Sequence, residues 1–568
     1  MSPQAAAHEN PDERTPLLNS RDEQATENEA NRNSNGNGSG HVEEMPPMRV
    51  LAPIITSLWV PVFIASLDST IVATLTGTIS SSFEAAEQAS WVGSSYLLSL
   101  CCFNPLMGRL SDVFGRRGTL LVSITLFTLG TLGCGTAHSL PSFLTARVIA
   151  GAGGGGLTTV SNVIMSDLVP IRNRGLLQGA TNIVFGLGSG LGGPVGGFCN
   201  DLFGWRIAFL AQVPLLAIAC TLAVVFVRDS RDPGQSNLAL PFRAKVGRVD
   251  FLGAFTLVST VACILIPLSL VSGNDAPLTD PAVYGLVIAG FVSMAAFLFV
   301  EVRVAAEPIL PMRLLHTRTG LGVSISNFTL SITSFATLYT YPLYFQAVRL
   351  ESASEAGLHI IPYSVALSVS SVVAGAYMRA TGRFQRYTVC MACFQFIAGG
   401  LLFFLGPNAP EWSTYLVIAP MGIGGAGVLT NTLIAIINAV PRSDIAVATA
   451  LTYLFRTSGQ VLGVGLSGTI LQFNLKRELG KRISDVELIT RIRHSSSLIR
   501  ELSPPLKRAA SEAYYASTQR VWIFLIAVSA VTVLATALIE DRALPDYKQA
   551  GQENGDAEAG ESANDRRS

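Results

Sequence analysis

Charge is what this sequence has least of. Only 14% of its 568 residues are Asp, Glu, Lys or Arg, against roughly a quarter in a soluble domain. The 39 basic and 39 acidic residues cancel, so no excess of one sign points to a nucleic-acid partner. No glycine-rich turn is followed by Lys-Ser or Lys-Thr, which removes the phosphate loop of machines driven by nucleotide hydrolysis. Cofactor motifs and metal-ligand spacings are missing too, so neither a cofactor, a metal nor an enzymatic activity is expected. The eight cysteines fall almost entirely inside apolar runs and imply no disulfide framework. Cys390 and Cys393 form a C-x-x-C, which two small residues on a lipid-buried helix account for.

The charge that remains is gathered at the two ends and in short connections, and between them lie long apolar runs. A run of about 20 apolar residues is what a helix needs to cross the hydrocarbon core of a bilayer. Helices are predicted near residues 50–76, 91–109, 119–138, 142–164, 177–199, 206–227, 250–271, 281–300, 321–346, 356–378, 387–405, 413–438, 446–473 and 520–540. The fold class is therefore an all-α membrane protein of about fourteen transmembrane helices, with the lipid bilayer as its first partner. Residues 1–47 are polar, without hydrophobic period, and read as a disordered tail. They lack the charged-then-apolar pattern of a cleaved signal. Residues 541–568 have the same character.

Charge asymmetry orients the stack. With the N-terminus in the cytosol, the inside loops hold Arg109, Arg116, Arg117, Arg172, Arg174 and most of the other loop arginines, whereas the short outside loops hold only Arg206 and Arg349. The basic connection 474–519 departs from this rule, being placed outside as a long lumenal loop. An internal echo supports a repeat. Gly108 to Arg116 follows the second helix, Gly375 to Arg383 follows the tenth, and glycine, glycine and arginine keep one spacing in both. Equivalent loops require two six-helix bundles, 48–227 and 301–540, with residues 228–300 contributing a linker and two inserted helices. Repeat halves facing a central site are a common transporter plan.

Within this frame Asp68 stands out. An ionisable group inside a membrane helix is expensive and by default functional. A carboxylate held away from water also binds its proton more tightly, so it can trade a proton for a cationic solute. On this reading Asp68→Asn abolishes gradient-driven transport while leaving abundance intact. Arg147, inside the fourth apolar run, is the second such group, and Arg456 in the thirteenth raises the same question. Polar residues at helical positions, Asn182 and Gln346 ahead of Asn162, Gln212, Asn327, Asn431 and Gln460, are candidates for the wall of a cavity, although interhelical hydrogen bonds explain most of them as well.

Four motifs in order then carry a resemblance. They are Leu67-Asp68-Ser69-Thr70-Ile71-Val72; the loop from Gly108 to Gly118; Arg147 with Gly151, Gly153 and the glycines after them; and Gly188-Ser-Gly-Leu-Gly-Gly-Pro194-Val-Gly-Gly197. From about residue 50 to 470 the chain resembles the major facilitator superfamily, in its fourteen-helix drug:proton antiporter branch. The resemblance implies that Asp68 and Arg147 take part in proton coupling and substrate handling. It implies that Gly108, Asp112, Gly115, Arg116 and Arg117 form a cytosolic gate, Asp112 pairing with basic neighbours or a helix end. Gly188, Gly192, Gly193, Pro194 and Gly197 are its antiporter motif, where small residues let backbones approach and proline bends the helix.

Within that branch the chain is most similar to fungal vacuolar transporters of basic amino acids, through the run from Arg147 to Leu157, Ser166-Asp167, Arg174-Gly175, the segment Gln178 to Asn182, and Gln212-Val-Pro214. Glu13, Leu17 and Leu18 resemble an acidic dileucine signal, which adaptor complexes read on cytosolic tails. The expected function is thus a proton-coupled antiporter that takes a small, cationic solute, a basic amino acid, into the vacuole. Efflux of drugs or toxins at the plasma membrane is the alternative, and a non-transporting nutrient receptor on the same fold is a third.

Overall fold

The computed structural model describes residues 48–85, 88–168, 171–227, 250–273, 279–304, 312–440, 445–494 and 496–542. Both expected tails, the sorting residues Glu13, Leu17 and Leu18, and the 228–249 linker lie outside them, save for Asp541 and Arg542. Among the described residues every regular element is helical. In chain order these are α1 Met48–Ser82, α2 Ala89–Phe114, α3 Arg116–Thr136, α4 Leu140–Leu168, α5 Ile171–Phe203, α6 Trp205–Leu210, α7 Gln212–Phe226, α8 Phe251–Gly273 and α9 Pro281–Phe299. There follow α10 Met312–Leu315, α11 Arg318–Tyr344, α12 Ala353–Leu358, α13 Ile361–Thr381, α14 Gln385–Phe403, α15 Glu411–Leu416, α16 Ala419–Ala439, α17 Ile445–Arg482, α18 Val486–His494 and α19 Pro504–Ala537.

Ten helical stretches among the described residues are long and apolar enough to cross a membrane, and Leu252–Pro267 of α8 is a shorter apolar one. Helices α2, α5 and α17 fall below that apolarity, although they are 26, 33 and 38 residues long. Their composition has a structural reason. These three helices turn polar faces, with Asn104, Gln178, Asn182, Arg456 and Gln460, toward an internal cavity.

Two expected spans are broken by local chemistry. The predicted 206–227 helix is interrupted at Ala211, just before Pro214, and the predicted 356–378 helix turns at His359–Ile360. There α13 restarts with Pro362 in its first turn, where a missing N–H costs nothing. The glycines at equivalent places in the echo both hold left-handed backbone, Gly115 at φ 98° and Gly382 at φ 64°, a conformation that favours glycine.

The connection 474–519, expected as a long loop, is mostly helical. α17 continues past its apolar part to Arg482, α18 follows, and α19 begins at Pro504, well before its apolar stretch. Leu475, Leu479 and Ile483 of this extension pack with Ile489, Ile492, Ala510, Ala513 and Tyr514 in a small core of their own. Charged residues on the solvent side dilute the apolar period in the sequence, but apolar residues every three or four positions still give these helices a buried stripe.

Candidate functional site

The centre of the site is set by how α4 packs. Gly151 of α4 lies against the backbone of α2, where a Cβ would come within 2.4 Å of the Tyr96 carbonyl oxygen. Gly153 faces the other way, and a Cβ there would sit 2.3 Å from the Phe127 nitrogen of α3. The glycine run therefore lets α4 sink between α2 and α3 on both faces. One turn before it, Arg147 is carried into the interior. Its Nη1 donates to Asp68 Oδ2 of α1 at 2.7 Å, with both side chains 1% exposed. The guanidinium also lies 4.3 Å above the Tyr96 ring, within the range of a cation–π contact.

The two groups that sequence reasoning singled out separately thus form one buried ion pair. Among the described residues Asp68 Oδ1 and Arg147 Nε and Nη2 have no N or O hydrogen-bond partner. Tyr339 of α11 lines the second of the clefts described below. Its phenol ring packs on Gly93 of α2, leaving no room there for a Cβ.

Two clefts flank the pair. A central cavity of about 760 Å³ is lined by Ser66 and Ser69 of α1, Tyr96 of α2, Asn182 of α5 and Arg456 of α17. A smaller space of about 370 Å³ adjoins it through Gln178, Asn182, Tyr453 and Arg456, and adds Asn327. A second cleft of about 800 Å³ is lined by Thr74, Tyr339, Gln346, Gln472, Arg493 and Tyr514, among others. Asp68 sits where α1 passes from one cleft to the other, with Tyr96 on the central side and Tyr339 on the far side. Among the described residues neither Asp68 nor Arg147 lines any of these three spaces, and no acidic side chain does. The charged groups that reach these spaces are Arg456 and Arg493.

Both expected cavity residues reach a cleft and bridge distant segments. Asn182 Nδ2 donates to Ser371 Oγ of α13 at 2.8 Å, and Gln346 Nε2 donates to the Thr74 carbonyl oxygen of α1 at 3.1 Å. Asn162 and Gln460 also line the central cavity. Gln212 and Asn431 instead make interhelical or local hydrogen bonds, to the Ala208 carbonyl oxygen and Thr388 Oγ1.

At the start of α3, Arg116 Nε pairs with Asp167 Oδ2 of α4 at 3.0 Å, and Nη1 donates to Ser111 Oγ at 2.6 Å. Arg117 Nη2 donates to the Val224 carbonyl oxygen of α7 at 2.7 Å. Gly108 lies beside Thr159 of α4. The side chain of Asp112 lies outside those described, and with it the expected pairing of that residue. On α5, Gly188 and Gly192 face α1, against the carbonyl oxygens of Phe63 and Leu67, whereas Gly193 and Gly197 face α12, against Gly357 and Ser354. Pro194 lies within α5 between these contacts. The glycine motif therefore joins two surfaces, one inside the N-terminal segment and one across to the C-terminal segment.

Over residues 58–464 the sequence matches the Major Facilitator Superfamily. The chain belongs to that superfamily. It is a multi-pass membrane transporter and not an enzyme. Of this superfamily, the multidrug resistance protein fnx1 of Schizosaccharomyces pombe is 39% identical over 488 residues, which is 84% of this chain and 90% of the relative. The vacuolar membrane amino acid uptake transporter fnx2 of the same organism is 35% identical, over 87% of this chain and 85% of its own. Vacuolar basic amino acid transporter 1 of Saccharomyces cerevisiae is 31% identical, over 73% and 77%. A bacterial homologue of the human lysosomal transporter Spinster, in an inward-facing and unoccupied conformation, shares the fold with a TM-score of 0.56 at 16% identity, covering 87% of this chain and 98% of that one.

Sequence reasoning missed two groups that this major facilitator chain brings to the site. Asp167 is named in the sequence only as part of a similar run, because an aspartate near a helix end reads as solvated. Tyr339 carries no charge in an apolar segment, so nothing in the sequence separates it from a packing tyrosine.

Proposed function

We propose that this transporter is a proton-coupled antiporter that carries basic amino acids from the cytosol into the vacuole. The observation that carries the reading is the sealed Asp68–Arg147 pair between the two clefts. A proton arriving on Asp68 removes the anion that neutralises Arg147, and an unpaired guanidinium in the membrane interior is costly. The protonated and deprotonated forms therefore favour different arrangements of α1 and α4, and a difference of that kind is what biases alternating access. Protons leaving an acidic vacuolar lumen would drive the amino acid the other way.

The same reading takes the chain as fourteen spans, with two six-helix bundles around an inserted pair, and places Arg116 with Asp167 at the cytosolic gate. It takes Glu13, Leu17 and Leu18 as the adaptor signal that directs the chain to the vacuole. The names of two relatives, one for vacuolar amino acid uptake and one for basic amino acids, support solute and membrane. Drug efflux at the plasma membrane is a second reading, favoured by the 39% identity to a relative named for multidrug resistance.

Reconstituted protein under an imposed proton gradient decides between them. Accumulation of labelled lysine with dissipation of the gradient is the expected result. Movement of a cationic dye without any amino acid favours efflux, and an undisturbed gradient with every solute overturns proton coupling.

A further inference from the structure

Among the described residues, the central cavity is lined by one cation and by no acidic side chain. Arg456 of α17 lines both the cavity and the adjoining space. Among the described residues it makes no ion pair and no hydrogen bond; its guanidinium lies 6.0 Å from the Phe185 ring and 5.8 Å from the Tyr453 ring. Arg147 offers the contrast within one molecule, being neutralised by Asp68 at 2.7 Å. An arginine kept charged inside a membrane protein without an acid beside it is held at a cost unless something else brings the anion.

The surroundings fit a small solute with a carboxylate. Gln178 and Asn182, which share both spaces with Arg456, are hydrogen-bonded to each other at 3.3 Å. Asn162 donates to Tyr453 Oη at 3.0 Å, while its Oδ1 is buried and has no partner. The cavity thus presents a fork of N–H donors from Arg456, and no acidic side chain among the described residues lines it. A guanidinium matches a carboxylate in a two-bond geometry that a point charge cannot reproduce.

We infer that Arg456 anchors the carboxylate of the transported amino acid in the central cavity, so that the solute is selected by its acid group before its basic one. This rests on reading the chain as an amino-acid transporter. It shifts the substrate-holding role away from Asp68, which the pair keeps out of both clefts. Solutes that keep the basic side chain but lack the carboxylate, such as cadaverine and agmatine, are then poor ligands.

The test uses the full chain in proteoliposomes with an imposed proton gradient, labelled lysine as the transported solute, and competition by unlabelled lysine, arginine, cadaverine and agmatine. Wild type should be inhibited by the two amino acids and hardly affected by a hundredfold excess of either amine. Arg456→Gln should raise KM for lysine at least about tenfold and remove the discrimination, so that cadaverine competes as well as lysine. Arg456→Lys should fall between the two. Loss of discrimination is a readout that a merely structural role would not move. If Arg456→Gln fails to fold, the wild-type competition series decides alone. Equal competition by lysine and cadaverine overturns the anchoring role and leaves amino-acid transport standing. A wild type that moves no amino acid overturns the functional reading, and the anchor with it.

Discussion

Asp68 and Arg147 are 79 positions apart in the chain and meet at 2.7 Å, each side chain only 1% exposed. That relationship changes what a substitution should do. Taken alone, Asp68→Asn is expected to remove coupling and leave the protein abundant. With Arg147 buried against it, the same change strands a guanidinium, at a cost of roughly 3–5 kcal/mol, a large part of the 5–15 kcal/mol or so that holds a typical fold. Asp68→Asn is therefore expected to lower both the melting temperature and the uptake of labelled lysine. The double variant Asp68→Asn with Arg147→Gln removes both charges and should recover most of the melting temperature without recovering gradient-driven uptake. A single variant as stable and as active as wild type would show that the pair neither holds the fold nor couples transport.

Much of this site was legible because charge is rare in the apolar runs. Asp68, Arg147 and Arg456 could be found by that rule alone, since each sits where hydropathy forbids it. That two of them neutralise each other and the third does not was hidden, because pairing depends on how closely α4 packs. The glycines at 151 and 153 advertise close packing but not its partner. The glycine-to-arginine echo was visible as spacing, and the positive φ of Gly115 and Gly382 gives it a backbone reason. The folded connection at 474–519 escaped because its many charges resemble those of a solvated loop, while its short amphipathic stripe covers only one face of each helix.

That connection yields a prediction about pH. Glu478 lies past the apolar part of α17, where Lys481 and Arg482 both donate to its carboxylate. Hydrogen bonds from Lys481 first and Arg482 second pull its pKa down to about 2 from an ordinary value of 4.5. A carboxyl depressed in the folded state contributes its stability above the ordinary value and loses it as pH falls toward the depressed one. Between pH 7 and pH 5 this tie should therefore stay intact. Hydrogen exchange over residues 476–494, corrected for intrinsic rates, is expected to match at the two pH values. Glu478→Gln should speed exchange at both. A wild type that loosens sharply at pH 5 would mean that the tie does not govern this region.

The glycine motif of α5 makes a mechanical prediction. A Cβ at Gly197 would come within 2.5 Å of Ser354 Cα and 2.6 Å of its nitrogen. Both are backbone atoms of α12, so no rotamer change relieves the clash and the helices themselves must separate. Gly197→Ala should therefore widen the distance between spin labels on α5 and α12 and slow lysine uptake at least about tenfold, the effect of some 1.4 kcal/mol on the balance between conformations. On the proposed alternating-access cycle, in which these helices part, its melting temperature should change little. Gly400→Ala on α14 is the control. Nothing lies within 4 Å of the added methyl group there, and alanine gains up to about 1 kcal/mol over glycine in a helix, so both the label distances and the uptake rate should match wild type. Were Gly197→Ala to behave like Gly400→Ala, the contact between α5 and α12 would be packing alone and would have no part in the transport cycle.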